Sequence, residues 1–337
     1  MSSFFLVRNL LSVKTAYAIY QQYKVTEEVT FSIEDEVVGY FDKIKSTVPL
    51  GVDVIPTKKI NWLFERLNYL SNLKVIWKNE KEISELYENK KITDLFVHFP
   101  LHEKDALYVK VAREMAITIN FYEEGSCFYT GVRGRKKGIT NEMKYWIKHL
   151  SLKLLGINRG YRVEPDQWYS IFPVKKANNK IINVSYTGSD DFSIKYLFLS
   201  RPVTSDFPSI SFEQQLNAML VFINRIPDSE VVYIKFHPRE SSELRNQIIK
   251  KLRDACKRRL AIEMYEKEVA AEEIVHSMID GGEVCGFDSS TLIYGLAINK
   301  KLTYSSVLGR IHMYDDVNEL SNLYYSYSKD FPHINFI

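Results

Sequence analysis

The sequence is poor in cysteine, has no long apolar run and carries nearly balanced charge, and each shortage removes a class of protein. Its three cysteines, Cys127, Cys256 and Cys285, stand far apart. An odd number without disulfide or zinc spacing argues against a stapled secreted domain and for a reducing compartment. With no stretch of about 18 apolar residues, no membrane-spanning helix is expected. Met1 to Leu11 shows neither the basic region nor the long apolar region of a signal peptide. The net charge of +3 is small for a nucleic-acid binder, whose positive charge is usually larger and clustered. Signatures of phosphate-loop kinases, dinucleotide dehydrogenases, zinc proteases and serine hydrolases are missing. No Asp-x-Asp metal motif follows a strand. Glu34-Asp35-Glu36 comes nearest, in a polar stretch that reads as a helix start.

What remains is a chain with 45% apolar and 26% charged residues, the balance of a globular protein. Its 337 residues exceed one ordinary core and suggest two domains of about 150 residues each. Phe4 to Val7 reads as a buried strand, and Ser12 to Lys24 as a helix with Ala16, Ile19, Tyr20 and Tyr23 on one side. Further strands are expected at Val52 to Ile55, Lys74 to Trp77, Asp94 to Phe99 and Met115 to Phe121. Helices are expected at Ile60 to Leu70, Lys104 to Arg113 and Asn141 to Leu155.

Periodicity then fades around Pro165, Pro173 and a polar patch at Lys175 to Lys180, which suggests an interdomain crossing over 161–185. The domains would be 1–160 and 186–337. In the second, strands at Tyr196 to Leu199, Glu230 to Phe236, Ala261 to Tyr265, Glu283 to Cys285 and Leu302 to Ser305 alternate with helices. The helices are Phe212 to Ile226, Ser242 to Arg259, Ala271 to Met278 and Ser289 to Ile298. Repeated strand–helix pairs imply parallel sheets with right-handed crossovers. Two such Rossmann-like α/β domains facing across a cleft make the layout of a GT-B glycosyltransferase.

Three short segments follow apolar strands, the position where α/β proteins bind ligands. In Glu123-Glu124-Gly125, extended backbone sends neighbouring side chains to opposite faces. One carboxylate can therefore aim into a cleft as a base while the other receives loop N–H groups, and Gly125 allows a sharp turn. A solvated acidic turn would look the same. His237-Pro238-Arg239 ends the strand before it, because proline cannot donate to the ladder. The histidine, with Arg239 and Lys235 nearby, is placed to bond a phosphate or protonate a leaving oxygen, or merely to cap a strand. Ser289, Ser290 and Thr291, after Asp288, open an apolar helix whose first N–H groups favour an anion, although ordinary capping explains them equally. His98 and His102 flank Pro100 and suit either a cleft or packing. Basic residues at Arg133 and Arg135 to Lys137, then Lys144 to Leu155 with Tyr145 and Trp146, suit a membrane surface or a solvated helix face.

Taken as a set and in this order, Glu123-Glu124-Gly125, His237-Pro238 and Ser289-Ser290-Thr291 resemble the motifs of bacterial sialyltransferases. These include the lipooligosaccharide sialyltransferases and the capsular polysialyltransferases. Tyr196-Leu197-Phe198-Leu199-Ser200-Arg201-Pro202 looks like a further segment of the same families. The resemblance implies a GT-B enzyme that takes CMP-sialic acid as donor, inverts at the anomeric carbon and needs no cofactor or metal. It implies a carboxylate base, with Glu123 favoured over Glu124, and His237 as acid or phosphate ligand. Gly125, Pro238, Arg239, Ser289, Ser290 and Thr291 would form the donor site. Galactose on a lipid-linked surface glycan, of the lipopolysaccharide, O-antigen or capsule kind, is the acceptor that family prevalence favours. The protein would then be cytoplasmic, with a peripheral contact at the inner face of the membrane. The competing readings are a CDP-glycerol glycerophosphotransferase, a CMP-Kdo transferase, and a non-catalytic assembly or binding protein.

Overall fold

Short apolar strands alternate with amphipathic helices along the chain, and burial of one helix stripe against each sheet face organises the fold. The computed structural model describes residues 2–8, 10–23, 28–33, 42, 45–49, 51–57, 69–99, 103–123, 128, 150, 153, 163–173, 178–185, 193–256, 260–267, 269–316 and 318–337. The chain divides into two compact units, residues 1–132 with 137–185 and residues 133–136 with 186–337.

The described strands of the first unit are β1 (Ser2–Val7), β2 (Glu28–Ile33), β3 (Asp53–Pro56), β4 (Ile92–Phe99), β5 (Thr118–Glu123), β6 (Gln167–Ser170) and β7 (Asn179–Ile181). They form one parallel sheet in the order β3-β2-β1-β4-β5-β6-β7. Its helices include α1 (Leu10–Tyr23), α2 (Tyr69–Asn89) and α3 (Glu103–Glu114). Strands β1 and β4 are buried almost throughout, as expected of a sheet covered on both faces. Phe5 stacks on Phe96 across them with ring centroids 4.1 Å apart.

Three expectations change here. Lys74 to Trp77, read as a strand, lies inside α2. Its buried positions Ile76, Ile83 and Tyr87 follow helical spacing, which four residues alone do not display. Glu28–Ile33 is a strand that went unread. Residues within 161–185, expected to cross between domains, supply β6 and β7 to the first sheet. The strand there is short and polar, and its pairing with β5 rather than its own composition makes it a strand. Most of the helices expected at 60–70 and 141–155, and the basic segment at 133–155, lie outside the described residues.

The second unit contains β8 (Tyr196–Leu199), α4 (Val203–Asp206), α5 (Phe212–Ile223), β9 (Val231–Lys235), α6 (Ser242–Ala255), β10 (Ala261–Met264), α7 (Ala271–Ser277), β11 (Glu283–Gly286), α8 (Ser290–Ile298), β12 (Thr303–Ser306), α9 (Glu319–Asp330) and β13 (Ile334–Phe336). Its parallel sheet runs β10-β9-β8-β11-β12-β13. Helix α5 begins with a capping box in which Ser211 and Gln214 satisfy each other's backbone N–H groups. Helix α8 is buried along most of its length, and Gly295 lets it approach β12 closely enough for the Tyr304 ring to lie where a side chain would be.

Both sheets share one consequence of chain order. Growth proceeds outward from the first strand, then reverses to its other side. The reversal leaves a crevice beyond the carboxyl ends of β1 and β4 in the first unit, and of β8 and β11 in the second.

Candidate active site

In the second unit, register alone aligns three polar side chains. Leu199 pairs with Lys235 and with Gly286. Arg201, His237 and Asp288 each lie two residues beyond those partners, so they form one row across β8, β9 and β11. Arg201 is buried and donates through Nη1 to Asp288 and through Nε to Asp206 at 3.1 Å. Arg239 donates from both Nη atoms to the two oxygens of Asp206, at 2.7 and 2.9 Å. These hydrogen bonds and the charge of Arg201 outweigh burial and hold the Asp206 carboxyl below its ordinary range.

The turn that carries His237 is fixed by Glu240. This buried carboxylate accepts from the His237 backbone N–H at 2.7 Å and from Ser200 Oγ at 2.8 Å, joining the β9 turn to the β8 tip. Burial pushes the Glu240 carboxyl above its usual range. His237 is half-buried, and burial together with the Arg239 charge lowers its pKa. Its Nδ1 accepts the Arg239 backbone N–H at 3.2 Å, which leaves the proton of the neutral ring on Nε2. The histidine is therefore set as a neutral donor. Pro238 is exposed.

Ser289 caps α8 by accepting from the Thr291 N–H, and Ser289 and Ser290 are half-buried. Thr291 differs from expectation. Its buried hydroxyl donates to Glu272 at 2.9 Å, so it ties α8 to α7 rather than facing a ligand. Tyr327 Oη donates to the Asp288 carbonyl and steadies this tip from α9. Lys235 extends over the Tyr265 ring instead of joining the row.

In the first unit, Glu123 ends β5 opposite Phe99 of β4. Its side chain is wholly buried, and Oε2 accepts the Ile171 backbone N–H at 2.7 Å. Glu123 thus receives a loop N–H group. Glu124, Gly125 and His102 lie outside the described residues. His98 is buried, with Nε2 3.0 Å from Asp105 Oδ2, and the same oxygen accepts from Arg8 Nη2 at 2.5 Å. Packing and the contact with Asp105 account for His98. Reading the sequence locally missed Asp206 and Glu240 altogether and gave Arg201 no role. The available signal was a charged residue at the same offset past an apolar strand as His237.

The family model described as alpha-2,8-polysialyltransferase (POLYST) matches residues 3–308. This chain belongs to that family. No curated protein matches it in sequence. Among solved structures, MurG of Acinetobacter baumannii is similar over 100% of this chain and 85% of its own, with 10% identity and a TM-score of 0.53. CalG4, the calicheamicin glycosyltransferase, gives 7% identity, coverage of 100% and 84%, and a TM-score of 0.52. A UDP-GlcNAc 2-epimerase from Methanocaldococcus jannaschii gives 10% identity, coverage of 97% and 92%, and a TM-score of 0.51. At such identities the likeness concerns the fold, and the epimerase shows that this fold also serves reactions other than transfer. The family member is a glycosyltransferase of the GT-B fold and of sialyltransferase type. Among the described residues no helix is long and apolar enough to cross a membrane, and no group of three His, Cys, Asp or Glu is placed to hold a metal.

Proposed function

We propose that this enzyme moves sialic acid from CMP-sialic acid to a glycan hydroxyl with inversion at the anomeric carbon. The observation that carries the reading is the row of Arg201, His237 and Asp288 beside the Ser289-capped helix, at the reversal point of the second sheet. An anionic leaving group suits these donors. His237 Nε2–H and the α8 N-terminus bond the phosphate, while Ser289 and Ser290 supply further donors.

The acceptor hydroxyl, a poor nucleophile, needs a base. Because Glu123 is taken up by the Ile171 N–H, we assign the base to Glu124 and the role of anchor to Glu123. The hydroxyl proton passes to Glu124, its oxygen bonds to the anomeric carbon, and the bond to CMP breaks with its electron pair left on phosphate. The arginines and helix terminus serve the phosphate in place of a metal. The family description favours the 8-hydroxyl of a terminal sialic acid as acceptor over the galactose that family prevalence suggested, and chain extension over a single addition. A lipid-linked acceptor and a peripheral membrane contact belong to the same reading.

The test is to incubate the purified protein, with and without EDTA, with CMP-sialic acid, CMP-Kdo or CDP-glycerol and a panel of sialosides and galactosides, and to identify products by mass spectrometry. Sialylated product from CMP-sialic acid alone, undiminished by EDTA, is expected. Transfer only from CDP-glycerol or CMP-Kdo would overturn the donor. Undiminished product formation by Glu124→Ala and His237→Ala variants would overturn the site assignment, and no product from any donor would favour the non-catalytic alternative.

A further inference from the structure

Asp206 sits where a site for phosphate has no evident need of a carboxylate. Two guanidinium groups, Arg201 and Arg239, face two carboxylates, Asp206 and Asp288, so these four side chains carry no net charge. An incoming anion must therefore loosen one of the pairs to gain a cation. The pairs differ in what that costs. The Arg201 side chain is 9% exposed and sits between both carboxylates, and opening it would strand a buried charge. The Arg239 side chain is 56% exposed, and exposed ion pairs are weak. Asp206 also offers Arg239 two oxygens at once, at 2.7 and 2.9 Å, which is the fork that a phosphate presents to a guanidinium.

We propose that Asp206 is a resident substitute for phosphate: it occupies both Nη positions of Arg239 until the donor's phosphate takes them. Asp206 then keeps its hydrogen bond from Arg201 Nε and no longer holds Arg239. The inference rests on the donor reading above and deepens it, because Asp206 becomes the residue that limits donor affinity and keeps weaker anions off Arg239.

Calorimetric titration of CMP, UMP and inorganic pyrophosphate into wild type, Asp206→Asn, Asp206→Ala and Arg239→Gln tests it. Each Asp206 variant should bind CMP about fivefold more tightly than wild type. The gain should vanish when Arg239→Gln is added, since nothing then remains to be released. Unchanged or weaker CMP binding in the Asp206 variants overturns the proposal, and would mean that Asp206 holds Arg239 ready for the ligand. If neither variant folds, a crystal structure of the wild-type enzyme with CMP decides. Arg239 keeping both contacts to Asp206 in that complex refutes the exchange. A wild-type enzyme that prefers UMP to CMP would count against the donor reading instead, and the variant-to-wild-type ratio is then taken with UMP under the same criteria.

Discussion

Replacing Glu240 isolates what holds the His237 turn in place. The buried carboxylate receives two hydrogen bonds, one from the His237 backbone and one from Ser200 Oγ. Bonds to a charged acceptor contribute about 1.5–3 kcal/mol each. Glu240→Ala removes both and leaves a partly buried N–H without an acceptor. The expected loss is about 3–5 kcal/mol, a large share of the roughly 5–15 kcal/mol typical of a folded domain. Glu240→Gln keeps one acceptor oxygen and nearly the same shape, so it should cost only about 1 kcal/mol. Urea denaturation followed by circular dichroism measures both changes, and hydrogen exchange over residues 231–241 localises them. The pH dependence has a definite sign. Burial raises the Glu240 carboxyl, so its contribution is fully present below the unfolded value of about 4.3 and is lost as pH rises through the raised folded value. The advantage of wild type over Glu240→Gln should therefore shrink over that interval. An alanine variant within about 0.5 kcal/mol of wild type, with unaltered exchange at the turn, would refute this account of the turn.

Other outcomes follow from the same geometry. Glu124→Gln should lower turnover about a hundredfold or more at unchanged melting temperature, while Glu123→Ala should cost about 1–3 kcal/mol of stability through the Ile171 N–H; the reverse pattern in kinetics and melting would return the base to Glu123. The His237 imidazole should titrate below the ordinary histidine value of about 6.5 in a proton–carbon NMR titration, and Arg239→Gln should move it upward. Because that pKa is depressed in the fold, the associated stability is present above the ordinary value and lost as pH falls through the depressed one. Gly295→Ala should destabilise the protein by at least about 1–3 kcal/mol in a thermal melt, since the added methyl would meet the Tyr304 ring, itself held by hydrogen bonds to the Gly295 and Asn299 carbonyls.

The second unit was readable from sequence because its strands are apolar, short and cleanly bounded. Val231 to Lys235 runs into His237-Pro238, and Glu283 to Gly286 runs into a capped helix, so composition and punctuation agree. Lys74 to Trp77 misled because a β-branched run is ambiguous until Ile83 and Tyr87 complete the helical stripe. Strands β6 and β7 went unread because pairing with β5, rather than local preference, makes them strands. At the site, strand-tip residues could be located, but their partners could not. The donor to the Glu123 carboxylate is an amide 48 residues away. Thr291 looked like a ligand donor until Glu272 claimed its hydroxyl. Asp206 and Glu240 carry no local signal, and only the fold brings them to Arg201, Arg239 and Ser200.

The bond from the Ile171 amide to Glu123 has a consequence for how the polypeptide is made. While a nascent chain has left the ribosome only as far as residue 166, the partner for one side of β5 has yet to emerge, and an acid destined for the interior still lacks that donor. Closing so long a loop is slow, and an uncovered strand in the interval invites wrong associations. Fragments cut before residue 167 should aggregate, whereas those that run past residue 171 should remain in solution.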